Sequence, residues 1–172
     1  MLHRGPPPLT AEEAGMAESD MVEFEIWSVP HQDTAVVHIT PEPKGIGQAM
    51  GEALPKAFAA IARSGGHPVG PPFTKYTTYS ETSVEFEAGV PVDTPFAGAG
   101  DVVPGELGGC EAAVAMHLGP YDTIGTTYRA LQAWIEGQGR RPSTVMWERY
   151  LSNPDTEPDP ATWRTEVVWP VE

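Results

Sequence analysis

The feature that most constrains this chain is that its pattern of elements occurs twice. The segment VVHITPE, residues 36–42, lines up with AMHLGPY, residues 115–121. The two share His-x-x-Pro, at His38/Pro41 and His117/Pro120. An Ile-Gly pair follows each, Ile46-Gly47 and Ile124-Gly125, and then a helical pattern. In the second copy Ile124, Tyr128, Leu131 and Ile135 fall on one helix face. Thr123 is placed to cap that helix, and Gly137 and Gly139 to end it. The first helix carries Met50, Leu54, Ala57 and Ile61 and stops at Gly65-Gly66. Pro55 inside it is expected to kink it or mark a fresh start.

After each helix comes an x-Pro step and a strand, HPVGPPFTKYTTY in one half and RPSTVMWERYL in the other, with Tyr76 and Tyr150 in matching places. Each half closes on a further strand ending in Pro-Val, SVEFEAGVPV (83–92) and WRTEVVWPV (163–171). The order strand–helix–strand–strand, repeated, predicts an α+β fold: duplicated βαββ repeats forming a mixed sheet with two helices on one face. The other face has nothing in the sequence to cover it. A partly aromatic sheet face and a concave groove at the repeat junction would suit an apolar ligand. Residues 1–20, with three consecutive prolines, read as a disordered tail ahead of a single domain over 21–172. Within it, VEFEIWSVP (22–30) is a leading strand, repeat one runs over about 22–92, and repeat two over 111–172. The Gly/Pro-rich stretch 93–110 is a connector.

Charge narrows the partners. Ten Lys+Arg against 24 Asp+Glu give a net charge of −14. That argues against direct binding to DNA or to acidic membranes, and favours cationic or neutral ligands or a basic protein surface. The single Cys110 cannot form an internal disulfide, no apolar run reaches membrane-spanning length, and the N-terminus lacks a signal-like apolar region. A cytoplasmic location is the expectation. The sequence does not fix an oligomeric state.

The stretch VMWERYLSNP, residues 145–154, holds the strongest candidate for chemistry. Strand alternation puts Met146, Glu148 and Tyr150 on one face and Val145, Trp147, Arg149 and Leu151 on the other. Glu148 thus sits between a Met and a Tyr. Either it pairs with Arg149, Arg141 or Lys75, or it is a carboxylate that a cationic ligand would satisfy. Tyr76, Tyr121, Tyr150, Trp147 and Trp169 are the aromatic set, and aromatic faces attract cations. Tyr76 and Tyr150 are expected to share Glu148's side. Trp147 points the other way, toward the helices, as core. The direction of Trp169 is open.

These residues carry a resemblance. His117-x-Gly119-Pro120-Tyr121, Ile124-Gly125, the helix with Leu131, Ala133 and Trp134, Glu148-x-Tyr150-Leu151-x-Asn153-Pro154, and Trp163-Arg164-Thr165-Glu166 through Trp169-Pro170-Val171 together resemble the GyrI-like small-molecule-binding domain. That domain is the effector-binding module of AraC- and MerR-type multidrug regulators. The resemblance implies two βαββ units with a groove that takes bulky, hydrophobic, often cationic molecules. It also implies that Glu148 meets the ligand's charge and that Tyr121 is part of an aromatic wall. The ligand-binding set is then Glu148, Tyr76, Tyr121, Tyr150, Met146 and Trp169. Only about 20 residues precede the domain, too few for a helix-turn-helix, so a free-standing member is expected.

Two alternatives stay open beside a binder without catalysis. Free-standing relatives include hydrolases of cyclopropane-containing alkylating antibiotics, for which Glu148 would activate water and Tyr121 would donate a hydrogen bond. They also include a protein that binds DNA gyrase. The SOUL haem-binding proteins share the implied fold class, and His38 and His117 recur in both halves. Two histidines without carboxylate or thiolate neighbours do not make a metal or haem site, and no cofactor is expected.

Overall fold

The computed structural model describes residues 23–39, 46–79, 84–152 and 157–172. The proposed tail, Pro41, Asn153 and Pro154 lie outside the described residues, as does the side chain of Met50. The described elements are β1 (Phe24–Val29), β2 (Gln32–Ile39), α1 (Ile46–Ser64), β3 (Phe73–Tyr79), β4 (Val84–Pro91), β5 (Val102–Leu107), β6 (Cys110–Leu118), a 3-10 turn (Tyr121–Thr123), α2 (Ile124–Gly137), β7 (Met146–Tyr150), a 3-10 turn (Pro160–Thr162) and β8 (Arg164–Pro170). The α+β class and both repeats of strand–helix–strand–strand are present. No helix among the described residues is long and apolar enough to cross a membrane.

The chain forms two compact units. Unit one holds residues through Val29, Cys110–Ser143 and Tyr150–Glu172; unit two holds Pro30–Gly109 and Thr144–Arg149. In unit two β2 pairs with β4, β4 with β3, and β3 with β7, each antiparallel. The mixed sheet expected from a βαβ crossover is avoided for a topological reason. The crossover helix α1 joins β2 to β3, which run parallel, and β4 inserts between them and opposes both. In unit one β6 likewise pairs antiparallel with β8.

The stretch read as a connector carries a strand. β5 (VVPGEL) pairs with β2, and β1 pairs with β6. Each half therefore has five elements, ββαββ, and its first strand pairs with the second strand of the other half. Pro104, which cannot donate to a ladder, is tolerated in β5 because that strand ends the order of strands in unit two.

The helix-covered faces fix the repeat register: Ala35 and Val37 lie under α1, and Ala113 and Ala115 lie under α2. Phe24↔Ala115 in unit one corresponds to Val102↔Val37 in unit two. In that register His117 matches Ile39, so the His38/His117 equivalence is one residue out. A slip of one residue exchanges the two faces of a strand. His38 is exposed and faces Glu87 at 3.6 Å, on the side of β2 away from α1, whereas His117 is buried beneath α2.

Each helix covers one sheet face. Ala53, Ala57, Ala60 and Ile61 of α1 pack on Ala35, Val37, Phe86, Ala88 and Val90. Leu131 and Ile135 of α2 pack on Ile26, Ala113, Ala115 and Val167. Both helices end alike. Gly65 (φ 80°) and Gly139 (φ 74°) adopt the left-handed conformation, with paired bonds Gly66 N→Ile61 O and Gly65 N→Ala62 O in α1, and Arg140 N→Ile135 O and Gly139 N→Glu136 O in α2. α1 runs unbroken through Pro55, so the proline marks no fresh start. The carbonyl left without a donor belongs to exposed Gly51, where solvent can serve it.

Candidate functional site

Glu148 belongs to unit two. The β3–β7 register sets Thr74 opposite Glu148 and Tyr76 opposite Met146. Directly paired residues share a face, so Thr74, Tyr76, Met146 and Glu148 lie on one side of the sheet. It is the side covered by α1: Tyr76 pairs with Phe86, lies tilted against its ring at 5.9 Å, and packs on the α1 cluster. Glu148 and Tyr76 were expected on the uncovered face, and they lie on the helix-covered one. Trp147 is buried as expected of core, but it lies on the face away from α1, together with Phe73, Lys75 and Arg149. Lys75 and Arg149 therefore point away from Glu148 along their strands, and Lys75 donates instead to the Glu106 carbonyl at 3.1 Å.

Glu148 is 6% exposed, an unusual burial for a carboxylate. Tyr76 donates to its Oε2 at 3.4 Å, a long bond for an O–H···O contact. Aligning Tyr76 with Tyr150 makes Thr74 the counterpart of Glu148, and the two counterparts face each other across β3 and β7. One half thus supplies a hydroxyl where the other supplies the acid. A buried carboxylate beside a phenol and a thioether favours a cationic group that arrives with an apolar body.

The remaining predicted residues belong to unit one. Gly119 has φ 123°, a left-handed conformation that lets the chain reverse after β6, and Pro120 leads into the 3-10 turn that carries Tyr121. The Tyr121 ring, 39% exposed, lies 5.0 Å from the Trp163 ring and 5.7 Å from Tyr150. Trp163 is the member of this group that sequence reasoning did not assign to the site. Its place just before β8 was visible, but its partner was not. The Trp163 indole is tied to the Glu157 carbonyl at 2.6 Å, and its own carbonyl accepts from Gly119 at 2.8 Å. Trp169 packs edge-on to Tyr128 at 6.0 Å on the α2 side and donates to the Ser143 carbonyl at 2.7 Å, which settles its direction. Thr123 does not cap α2 through its side chain. It continues the 3-10 turn with helical φ and ψ, and its hydroxyl donates to the Pro120 carbonyl at 2.9 Å.

An open surface pocket of roughly 440 Å³ in unit two is lined by Phe58, Ile61, Ala62, Gly65, Gly66, His67 and Pro68, and includes none of the predicted site residues. Among the described residues no group of three His, Cys, Asp or Glu side chains could hold a metal ion.

The GyrI-like small molecule binding domain family matches residues 23–172. The C-terminal domain of EcmrR is 21% identical, with a TM-score of 0.74, and the match covers 88% of this chain and 97% of that one. The EcmrR chain in its complex with DNA is also 21% identical (TM-score 0.75, 88% of this chain covered), and this chain spans only 57% of its length. The structure of SAV2435 bound to tetraphenylphosphonium is 12% identical with a TM-score of 0.61, covering 87% of this chain and 94% of that one. No curated protein matches the chain. At these identities the solved structures establish the fold, and the family match over nearly all described residues establishes kinship: the chain belongs to the GyrI-like small-molecule-binding domain family.

Proposed function

We propose that this protein is a cytoplasmic binder of bulky, hydrophobic, cationic or aromatic compounds, in which Glu148 selects for positive charge. The observation that carries this reading is the burial of Glu148 beside Tyr76 and Met146. Binding of tetraphenylphosphonium, a lipophilic cation, by a protein of the same fold supports it. The other residues assigned to binding are Tyr121, Tyr150 and Trp169. Of these, Trp169 is the most committed to packing. The test compares tetraphenylphosphonium with neutral triphenylphosphine oxide on the wild-type protein. The cation binds more tightly if the reading is right; equal affinity, or no binding of either, counts against it.

A hydrolase from Listeria innocua, 18% identical and with a TM-score of 0.64 over 87% of this chain and 91% of that one, supports a second reading. A carboxylate with a phenol 3.4 Å away can orient water for attack on a strained electrophile, with Tyr76 rather than Tyr121 as that phenol. Incubation of a cyclopropane-containing alkylator with protein in excess should then give a product heavier by one water. Unchanged substrate removes the reading.

A further inference from the structure

His117 is 4% exposed and makes three side-chain contacts within unit one. Its Nδ1 lies 2.8 Å from the hydroxyl of Thr127 on α2, and its Nε2 lies 3.0 Å from the Pro120 carbonyl and 3.2 Å from the Thr123 hydroxyl. A carbonyl can only accept, so the network assigns the proton to Nε2. Nδ1 is then left to accept from Thr127, itself 3% exposed. The Pro120 carbonyl receives three donors, His117 Nε2–H, the Thr123 hydroxyl and, at 3.3 Å, the Thr123 backbone N–H; of these only His117 reaches it from β6. On the other side of the turn, Gly119 N–H is held by the Trp163 carbonyl. The residue that follows this carbonyl is Tyr121, whose ring stays 39% exposed.

We propose that His117 is the positioning residue of Tyr121: anchored to α2 through Nδ1, its Nε2–H fixes the Pro120 carbonyl and so sets where the Tyr121 ring is presented. A side chain that merely filled space beneath α2 would need neither the tautomer nor the tether. The inference rests on the reading of Tyr121 as a ligand-contacting residue only for its effect on binding; the geometry of the turn stands apart from that reading.

The two conservative amides separate the two ring nitrogens. In His117→Gln the amide nitrogen takes the place of Nε2; in His117→Asn the amide takes the place of Nδ1. The readout is the set of Tyr121 ring-proton shifts, which carry the ring current of Trp163 at 5.0 Å. His117→Gln should keep those shifts and bind tetraphenylphosphonium within about twofold of wild type. His117→Asn should move the shifts toward those of a free tyrosine and weaken binding roughly three- to tenfold, the scale of one aromatic contact to a cation. Unchanged Tyr121 shifts in His117→Asn overturn the proposal, even if the melting temperature falls. If neither variant folds, the nitrogen-15 spectrum of wild-type His117 decides: a proton on Nε2 is expected, and a proton on Nδ1 overturns it. If wild type fails to bind tetraphenylphosphonium, the functional reading falls while the ring-shift comparison still answers for His117.

Discussion

Replacing Glu148 with Gln removes one charge at nearly constant shape. The amide oxygen can still accept from Tyr76, whose hydroxyl lies 3.4 Å from Oε2, and the side-chain volume is kept. With Glu148 only 6% exposed, water screens it poorly. The phenyl shell of tetraphenylphosphonium keeps its charge centre about 6 Å from a contacting carboxylate. At an effective dielectric constant of about 20, that separation gives an attraction of roughly 2–3 kcal/mol. Desolvation of the carboxylate offsets part of this. The expected loss in Glu148→Gln is therefore about tenfold, rising toward roughly a hundredfold if little is offset. Triphenylphosphine oxide should bind both proteins alike. Calorimetric titration at two salt concentrations is the assay, because a buried pair loses less to screening than an exposed one. Thermal melts control for unfolding. Cation affinity within twofold of wild type in Glu148→Gln would refute the reasoning, whatever the fate of the neutral compound.

Two further predictions concern the scaffold. A Cβ on Gly89 would overlap the Ala35 carbonyl and come within 2.7 Å of Val36 Cγ1, whereas one on Gly51 in α1 meets nothing within 4 Å. Gly89→Ala should cost about 1–3 kcal/mol in urea unfolding, and Gly51→Ala should add about 0.5–1 kcal/mol; destabilisation of similar size by both would contradict the contacts described. Asp93 accepts from the His67 backbone N–H at 2.9 Å, which holds its carboxyl below the ordinary value of 3.8. The stability this contributes is present above pH 3.8 and is lost as pH falls through the lower folded value. Asp93→Asn should flatten that part of the acid limb of a melting-temperature profile, with a small loss at neutral pH that vanishes as pH falls below the folded value; an unaltered limb would show that the contact carries no weight.

The helices were legible because their apolar spacing is regular, and the Gly65 and Gly139 stops because a left-handed residue after a helix is written as glycine. The pairing of Glu148 with Tyr76 was partly legible from alternation and the Tyr76/Tyr150 match. Which face α1 covers was not, because alternation separates two faces without saying which one meets the helix. Burial of both Trp147 and Glu148 on opposite sides shows why hydrophobicity could not decide it. The His-x-x-Pro match misled by one position, and one position is a whole face. β5 escaped notice because Pro104 and Gly105 mimic a turn. The strand is recognisable only through its counterpart β1 and the shared register of Phe24↔Ala115 and Val102↔Val37.

The exchange of first strands between the halves bears on how the chain acquires its structure. Phe24 finds its partner only when Ala115 has been made, so β1 must wait through the synthesis of all of repeat one. Contacts this distant in sequence slow folding, because loop closure precedes any gain from pairing. A chain cut between β4 and β5 would leave one fragment with β2 lacking β5 and β1 lacking β6, and the other with the complementary gaps. Neither piece could close its own ladder. Mixed together, each would be the other's missing template, so reassociation of two co-expressed fragments, and aggregation of either alone, is what this topology dictates.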